Sequence, residues 1–377
     1  MDIICRQKRE HGRGSCLTDC PSAPPSDVYD YARVEAPADL PPADPRIVDV
    51  AVLDMNCTWP NLGHDSLVHA VQDAACDLIP VLGPAGIKVR AISFEVRRRH
   101  QLPEAPGGRF ALYLGSGGPG HIDPRYNDGS DEGSQGLEED PRWQGPFYRL
   151  LDAIVADERA ALVAVCHTYG VMCLWAGIAR PELRGPAKAG KSSGILENVL
   201  TSSALEHPWF RRFSEELPDG RRLRILDNRL YDLIPVSGEL PAGITAIGRE
   251  TLGVGGPPGE AMTMVELARD PGGVMPRVFG SNHHPEILDR FRQKLILQGK
   301  LDRGEVSHEW YEERLAVLSR VHADDRDDHR LHATSDYTLL GPMRFHLHRA
   351  LRRRAEDLGL RVDLDEERVF ARAAATT

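Results

Sequence analysis

Residues 159–167 read Arg-Ala-Ala-Leu-Val-Ala-Val-Cys-His, and this stretch decides the fold. Its short apolar run with β-branched residues predicts a buried parallel strand. Residues 169–178 then predict a helix. Cys166 is therefore expected on a sharp turn from strand to helix at the edge of an α/β sheet, where the N-terminus of the helix favours the thiolate.

Other apolar stretches extend this sheet in both directions. Strands are predicted at residues 47–53, 87–93 and 110–114, and residues 67–82 have helical periodicity. Strands that alternate with helices across glycine turns predict a doubly wound, mostly parallel sheet, which is an α/β fold.

The triplet His284-Pro285-Glu286 can supply what a thiolate at Cys166 needs. A thiolate nucleophile requires a proton shuttle, and the shuttle requires an orienting group. Residues i and i+2 of an extended segment point the same way, so His284 and Glu286 fit these roles. His283 is the alternative base, but its position relative to Pro285-Glu286 is less favourable. Cys173 is predicted to be an inert, buried apolar residue.

A glycine-rich loop, Gly-Ser-Gly-Gly-Pro-Gly at residues 115–120, follows the strand at 110–114. Glycines let backbone N–H groups approach a ligand oxygen closely. We therefore predict an oxyanion hole formed by the N–H groups of Gly118 and His167.

These elements together resemble the class I glutamine amidotransferases and their wider superfamily of cysteine hydrolases. The matching segments are Leu-Gly-Ser-Gly-Gly-Pro at 114–119, the turn around Cys166, and Phe-Gly-Ser-Asn-His-His-Pro-Glu at 279–286, where the family has Phe-Gly-Val-Gln-Phe-His-Pro-Glu. The resemblance covers roughly residues 46–290, the size of a domain. It implies a flavodoxin-like α/β sandwich and a Cys166–His284–Glu286 triad.

The chain departs from the family at the turn around the cysteine, which usually reads Gly-x-Cys-x-Gly-His-Gln. Thr168 replaces a glycine and is expected to strain the turn, and Gly170 replaces the glutamine that helps to build the substrate pocket. We therefore expect a widened pocket and weak activity on free glutamine. The substrate-binding residues implied by the resemblance are Gly117, Thr168, Tyr169, Gly170 and Asn282.

Three regions are predicted along the 377 residues: a poorly ordered N-terminal extension at 1–45, the amidotransferase-like domain at 46–290, and a helical C-terminal extension at 291–377. The acidic, glycine-rich stretch 123–144 predicts an exposed loop beside the site that could act as a lid. Residues 97–99, three arginines, are expected to be surface charges.

Composition limits the function classes. A formal charge of −10 argues against a general nucleic-acid or membrane-surface binder. Seven cysteines without a dense framework, and an N-terminus without an apolar segment, indicate a cytoplasmic protein. No cofactor and no metal are expected.

We interpret three further patterns as loops without a ligand. They are a P-loop pattern at 185–192, a loose cluster of Cys5, His11, Cys16 and Cys20, and a histidine-rich stretch at 322–332.

The functional prediction is a cysteine hydrolase that cleaves an amide, either glutamine or a γ-glutamyl or other amide compound, through a thioester on Cys166. In the family, the ammonia released goes to a synthase, which here would be a separate subunit because 291–377 is short for a synthase domain. The alternative is a catalytically decayed protein of the same fold that acts as an interaction or regulatory subunit.

Overall fold

The computed structural model describes residues 27–185, 190–321 and 328–364, and in this part of the chain it contains twelve strands. In chain order they are β1 (Tyr29–Val34), β2 (Ile47–Asp54), β3 (Lys88–Glu95), β4 (Phe110–Gly115), β5 (Ala161–Val165), β6 (Ala179–Leu183), β7 (Ser192–Leu200), β8 (Arg222–Arg229), β9 (Tyr231–Pro235), β10 (Thr245–Thr251), β11 (Pro258–Arg269) and β12 (Pro276–Ser281).

Ten of these strands form one sheet in the order β1-β3-β2-β4-β5-β12-β11-β10-β7-β8. The strands from β1 to β12 in this order are parallel, and β11, β10, β7 and β8 add antiparallel pairs. Strands β6 and β9 form a separate antiparallel pair. The prediction of an α/β fold with a mostly parallel sheet is confirmed.

Helices cover both faces of the parallel strands. They are α1 (Gly63–Asp77), α2 (Ile79–Ala85), α3 (Val96–Arg99), α4 (Gln144–Ala156), α5 (His167–Trp175), α6 (Ser202–Glu206), α7 (Pro208–Glu216), α8 (Arg290–Asp302), α9 (His308–Val321), α10 (Asp328–Ser335) and α11 (Gly341–Asp357), and a π-helical turn (Asp336–Leu340) joins α10 to α11.

Alternating residues of each parallel strand enter two different hydrophobic clusters, because successive side chains of a strand point to opposite faces. Val50 and Val52 of β2 belong to the cluster that contains Leu67 of α1, whereas Ala51 and Leu53 belong to the cluster that contains Phe147 of α4. Buried side chains on both faces explain why these strands are continuous apolar runs in the sequence.

The predicted C-terminal helices are present, and the last of them belongs to the main core. Met343, Leu347 and Leu351 of α11 are fully buried in the same cluster as Val50 and Val52. Helix α11 therefore completes one face of the sheet on which the candidate site is built.

Two local predictions are wrong. Residues 29–34 form β1, a parallel edge strand beside β3, rather than part of a poorly ordered extension. Its proline-rich flanks obscured this strand, in which the two end residues, Tyr29 and Val34, are buried and the four between them are partly exposed. Helix α5 also ends at Trp175, three residues before the predicted end at 178, and strand β6 begins at Ala179.

The P-loop pattern at 185–192 ends at Ser192, which is the first residue of strand β7 rather than part of a helix, and residues 186–189 lie outside the described part of the chain. Cys5, His11, Cys16, Cys20 and residues 322–327 lie outside the described part of the chain. Within the described part, no helix combines the length and apolar character needed to cross a bilayer.

Candidate functional site

Cys166 lies in a strained turn between β5 and α5. Its φ of 49° and ψ of −101° are unusual for a residue with a side chain, and such outliers cluster at functional sites. The Cys166 N–H donates to the carbonyl of Ser281 at 2.7 Å, and its carbonyl accepts from the N–H of Gly170 at 2.9 Å. The turn is therefore anchored to the end of β12 as well as to the helix that follows.

His284 and Glu286 form a buried pair just after β12. His284 Nδ1 lies 2.8 Å from Glu286 Oε1, and the Glu286 side chain has no solvent exposure. The His284 N–H donates to the carbonyl of Leu226 at 2.8 Å, and the Ser335 hydroxyl donates to the Pro285 carbonyl at 2.7 Å. Strand β8 and the C-terminal helices therefore hold the His-Pro-Glu segment in place.

The charges around His284 favour its protonated form. Burial alone would lower its pKa, but Glu286 and the Cys166 thiol outweigh burial and hold the pKa of His284 well above its usual range. Nε2 of His284 has no nitrogen or oxygen partner among the described residues, so the Cys166 thiol is its neighbour. The arrangement favours an imidazolium at His284.

The neighbouring His283 has the opposite environment. Burial, His284 and Arg229 lower the pKa of His283 to about 3, and its Nε2 faces the hydroxyl of Thr338 at 3.3 Å. His283 therefore stays neutral at physiological pH and points away from the shuttle position. Of the two candidates, His284 is the residue beside Cys166.

Gly117 marks the point where the groups converge. A Cβ placed on Gly117 would lie 2.9 Å from Cε1 of His284 and 3.7 Å from Sγ of Cys166. The glycine loop, the cysteine turn and the histidine therefore meet in one small space. The structure brings Gly117, Cys166, His284 and Glu286 together.

The predicted oxyanion donors, Gly118 and His167, directly follow Gly117 and Cys166 in the chain. A Cβ on Gly118 would be only 2.1 Å from the carbonyl oxygen of Met55, so no other residue fits there. The N–H groups of Gly118 and His167 have no acceptor in the described part of the chain. His167 is the first residue of α5, where helix N–H groups are unsatisfied and the helix dipole favours negative charge.

Thr168 fits the turn without positive φ, contrary to the strain that we expected. Its hydroxyl donates to the carbonyl of Ser116 at 2.7 Å. A Cβ on Gly115 would lie 2.3 Å from Cγ2 of Thr168, so the threonine side chain occupies space that the glycine leaves free. Thr168 joins the glycine loop to the cysteine turn and is fully buried.

The expectation of a widened pocket at Gly170 is wrong. A Cβ on Gly170 would lie 2.6 Å from Cδ1 of Ile122, so the Ile122 side chain fills this space. The contact joins the loop after β4 to helix α5, and a single sequence gives no signal for such a long-range contact.

Two further residues of the predicted substrate-binding set point elsewhere. The Tyr169 side chain is fully buried in the core, and its hydroxyl donates to the Met262 carbonyl at 3.0 Å, so it does not border a substrate. Tyr169 is the third residue of α5, and its side chain points towards Gly280 rather than towards Cys166. Asn282 is buried and its Nδ2 donates to the Tyr231 carbonyl at 3.3 Å.

The predicted lid is packed against the domain. Asn127, Ser134 and Trp143 of the stretch 123–144 are buried, and the Glu139 side chain has no exposure. Its partner is Arg97, which we expected on the surface and which is also fully buried. Sequence analysis missed this pair because acidic and basic runs are usually solvated faces.

No protein-family model matches this chain, and no curated protein sequence does either. Among solved structures, the chain is similar to a glutamine amidotransferase from Thermotoga maritima, at 14% identity and a TM-score of 0.45, over 82% of this chain and 98% of that one. It is also similar to a glutamine amidotransferase from Methylobacillus flagellatus, at 13% identity and a TM-score of 0.39, over 74% of this chain and 93% of that one. At these identities and TM-scores, the two similarities say nothing about the activity of this chain.

Proposed function

We propose that this chain is a cysteine hydrolase of the amidotransferase type, which cleaves an amide through a thioester on Cys166. The observation that carries the proposal is the strained turn at Cys166 beside a buried His284–Glu286 pair. A nucleophile, a base and an orienting carboxylate in contact are the signature of nucleophilic catalysis.

The first half of the reaction follows from this geometry. The Cys166 thiolate attacks the amide carbonyl carbon, and the carbonyl oxygen becomes an oxyanion facing the N–H groups of Gly118 and His167. The imidazolium of His284 gives its Nε2 proton to the amide nitrogen. The C–N bond then breaks, and ammonia or an amine leaves while the acyl group stays on sulfur as a thioester.

The second half reverses the role of His284. The neutral imidazole takes a proton from water, and the resulting hydroxide attacks the thioester carbonyl. The second oxyanion collapses, the C–S bond breaks, and a carboxylic acid leaves and loses its proton to water, with Cys166 again a thiolate and His284 again protonated. Glu286 stabilises the imidazolium and fixes the ring so that Nδ1–H points at the carboxylate and Nε2 at the reacting atoms.

The proposed substrate is glutamine or a γ-glutamyl or other amide compound. Ile122 fills the space beside Gly170, where the resembling family has a polar substrate contact. The absence of one such contact typically costs ~1–3 kcal/mol, or about ten- to a hundred-fold in affinity. We therefore expect weak turnover of free glutamine and better turnover of an amide with an apolar portion that contacts Ile122. The ammonia goes to water or to a separate synthase subunit.

A second candidate, an interaction or regulatory subunit, is favoured by the same contact. If the apolar packing of Ile122 on Gly170 closes the pocket, the chain keeps the fold without processing a substrate. The two candidates differ in the reactivity of Cys166.

The experiment uses a diazoketone analogue of glutamine followed by peptide mass mapping, and ammonia release from glutamine and a panel of substituted amides. Cys166→Ala is compared with Cys76→Ala, because both cysteines are partly exposed. We expect an adduct on Cys166, and we expect turnover to be lost in Cys166→Ala but kept in Cys76→Ala. No adduct and no turnover across the panel would reject the hydrolase in favour of the interaction subunit.

A further inference from the structure

A buried ion pair lies behind the glycine loop that carries the proposed oxyanion donor. Arg97 Nε donates to Glu139 Oε1 at 2.6 Å, and Nη2 donates to the other carboxylate oxygen. Neither side chain has any solvent exposure. Arg97 follows β3 directly in the chain, so it lies at the same edge of the sheet as the cysteine turn.

The remaining nitrogen of Arg97 binds the backbone on two sides of Gly118. Nη1 donates to the Pro119 carbonyl at 2.8 Å and to the Met55 carbonyl at 2.9 Å. A Cβ on Gly118 would be 2.1 Å from this Met55 oxygen and 3.0 Å from Nη1. The guanidinium therefore fixes the Pro119–Gly120 peptide, one residue beyond Gly118, relative to the end of β2.

Glu139 extends the same support to the acidic stretch. Its carboxylate accepts hydrogen bonds from Trp143 Nε1 and Asn127 Nδ2, both at 2.8 Å. Asn127 Oδ1 in turn accepts from the N–H of His121 at 2.7 Å. The carboxylate thus has two partners besides Arg97, and the whole set joins residues 119–121 to 127–143.

Arg97 is also close enough to the cysteine turn to act on it electrostatically. Burial lowers the pKa of His167 well below its usual range, and the positive charge of Arg97 lowers it further. The His167 ring is therefore neutral, and the guanidinium is the nearby positive charge behind the proposed oxyanion site.

Stability alone gives a weak reason for such a pair. Burying two charges costs several kcal/mol each, and an apolar pair of similar volume is often equally stable or more stable. An arginine with five fixed donors is well suited to hold two carbonyls and a carboxylate at once.

We propose that Arg97 is a positioning residue for amide cleavage, which orients the Gly118 N–H towards the oxyanion by holding the Pro119 carbonyl. This inference rests on the proposed function. Removing the support should slow the step in which the oxyanion forms, because small displacements of catalytic groups cost up to about 10²-fold in rate. The nucleophilicity of Cys166 should not depend on it.

The test compares Arg97→Met with the double variant Arg97→Met/Glu139→Leu, which leaves no unpaired buried charge and so protects the fold. Arg97→Lys is the conservative variant, and Arg99→Met is the control for an exposed arginine of the same short helix. Each is measured for kcat and KM on the best-turned-over amide of the panel, and for the rate of Cys166 alkylation by iodoacetamide, a reaction that forms no oxyanion.

We expect kcat to fall about 10- to 100-fold in both Arg97→Met variants with little change in KM, partial recovery in Arg97→Lys, and wild-type values in Arg99→Met. Alkylation should stay within about twofold of wild type in all of them. Wild-type kcat in the double variant, or alkylation that falls in parallel with kcat, would overturn the positioning role. Failure of the proposed function itself looks different, because the wild-type chain then shows no turnover.

Discussion

Replacing Gly117 by alanine adds one methyl group and tests whether the glycine loop, Cys166 and His284 meet at this residue. The new Cβ would lie 2.9 Å from Cε1 of His284 and 3.3 Å from Cβ of Cys166. Carbon atoms in contact are normally ~3.5 Å apart or more, so one partner must move by about half an ångström. His284 is held through its ring by Glu286 and through its backbone by Leu226, so the reacting groups move relative to each other.

Gly117→Ala should affect both the stability and the rate. Overpacking of this kind typically lowers the free energy of unfolding by ~1–3 kcal/mol, whereas a displacement between reacting groups costs up to about 10²-fold in rate. Because φ of Gly117 is not positive, the alanine backbone itself is unstrained. We expect a folded protein whose kcat is at least tenfold lower.

The assays are ammonia release, iodoacetamide alkylation of Cys166 and denaturant unfolding. The control is Gly83→Ala, since no atom lies within 4 Å of a Cβ at Gly83. That variant should have wild-type kcat. A Gly117→Ala protein with wild-type kcat would refute the placement of His284 and Cys166 around this glycine.

Three further predictions address the same site. In Glu286→Gln the pKa of His284 should fall, because its raised pKa depends on that carboxylate. In the wild type the protonated ring stabilises the fold below about pH 6.5, and this contribution is lost as the pH rises through the raised pKa. An unchanged NMR titration of the His284 ring in the variant would contradict the predicted fall. Gly170→Gln alone should destabilise the protein by ~1–3 kcal/mol through overpacking, and Ile122→Ala should relieve this in the double variant, as a double-mutant cycle of unfolding free energies can show. Cys173, whose pKa burial raises to about 12, should resist iodoacetamide at pH 8, and alkylation as fast as that of Cys166 would show that the core is open there.

The sheet and the contact between His284 and Glu286 are predictable because their signals are local. The apolar run that ends at Val165 specifies a buried strand whatever surrounds it. The triplet at 284–286 combines a base and its orienting group within three residues, and the 2.8 Å contact between them follows from that spacing. The proximity of this triplet to Cys166 is a long-range contact. It arises because Cys166 follows β5 and the triplet follows β12, and these parallel strands are direct neighbours in the sheet.

The pocket and its supports are not predictable in this way, because they depend on contacts between distant segments. Ile122 reaches Gly170, and Glu139 reaches Arg97, without any motif that links the partners. Charged residues are almost never fully buried unless paired, and a single sequence cannot identify the pair in advance. The edge strand β1 was hidden for a related reason, since its proline-rich flanks dominate the local composition.

The environment of His284 supports the proposed hydrolase over the interaction subunit. Its buried Nε2 has no nitrogen or oxygen partner in the described part of the chain. The packing of Thr168 on Gly115 and of Gly170 on Ile122 does not separate the two candidates, because any well-packed core keeps such combinations. An unsatisfied buried polar atom costs about 1–3 kcal/mol, and a proton shuttle facing a thiol is a physical reason to retain that cost.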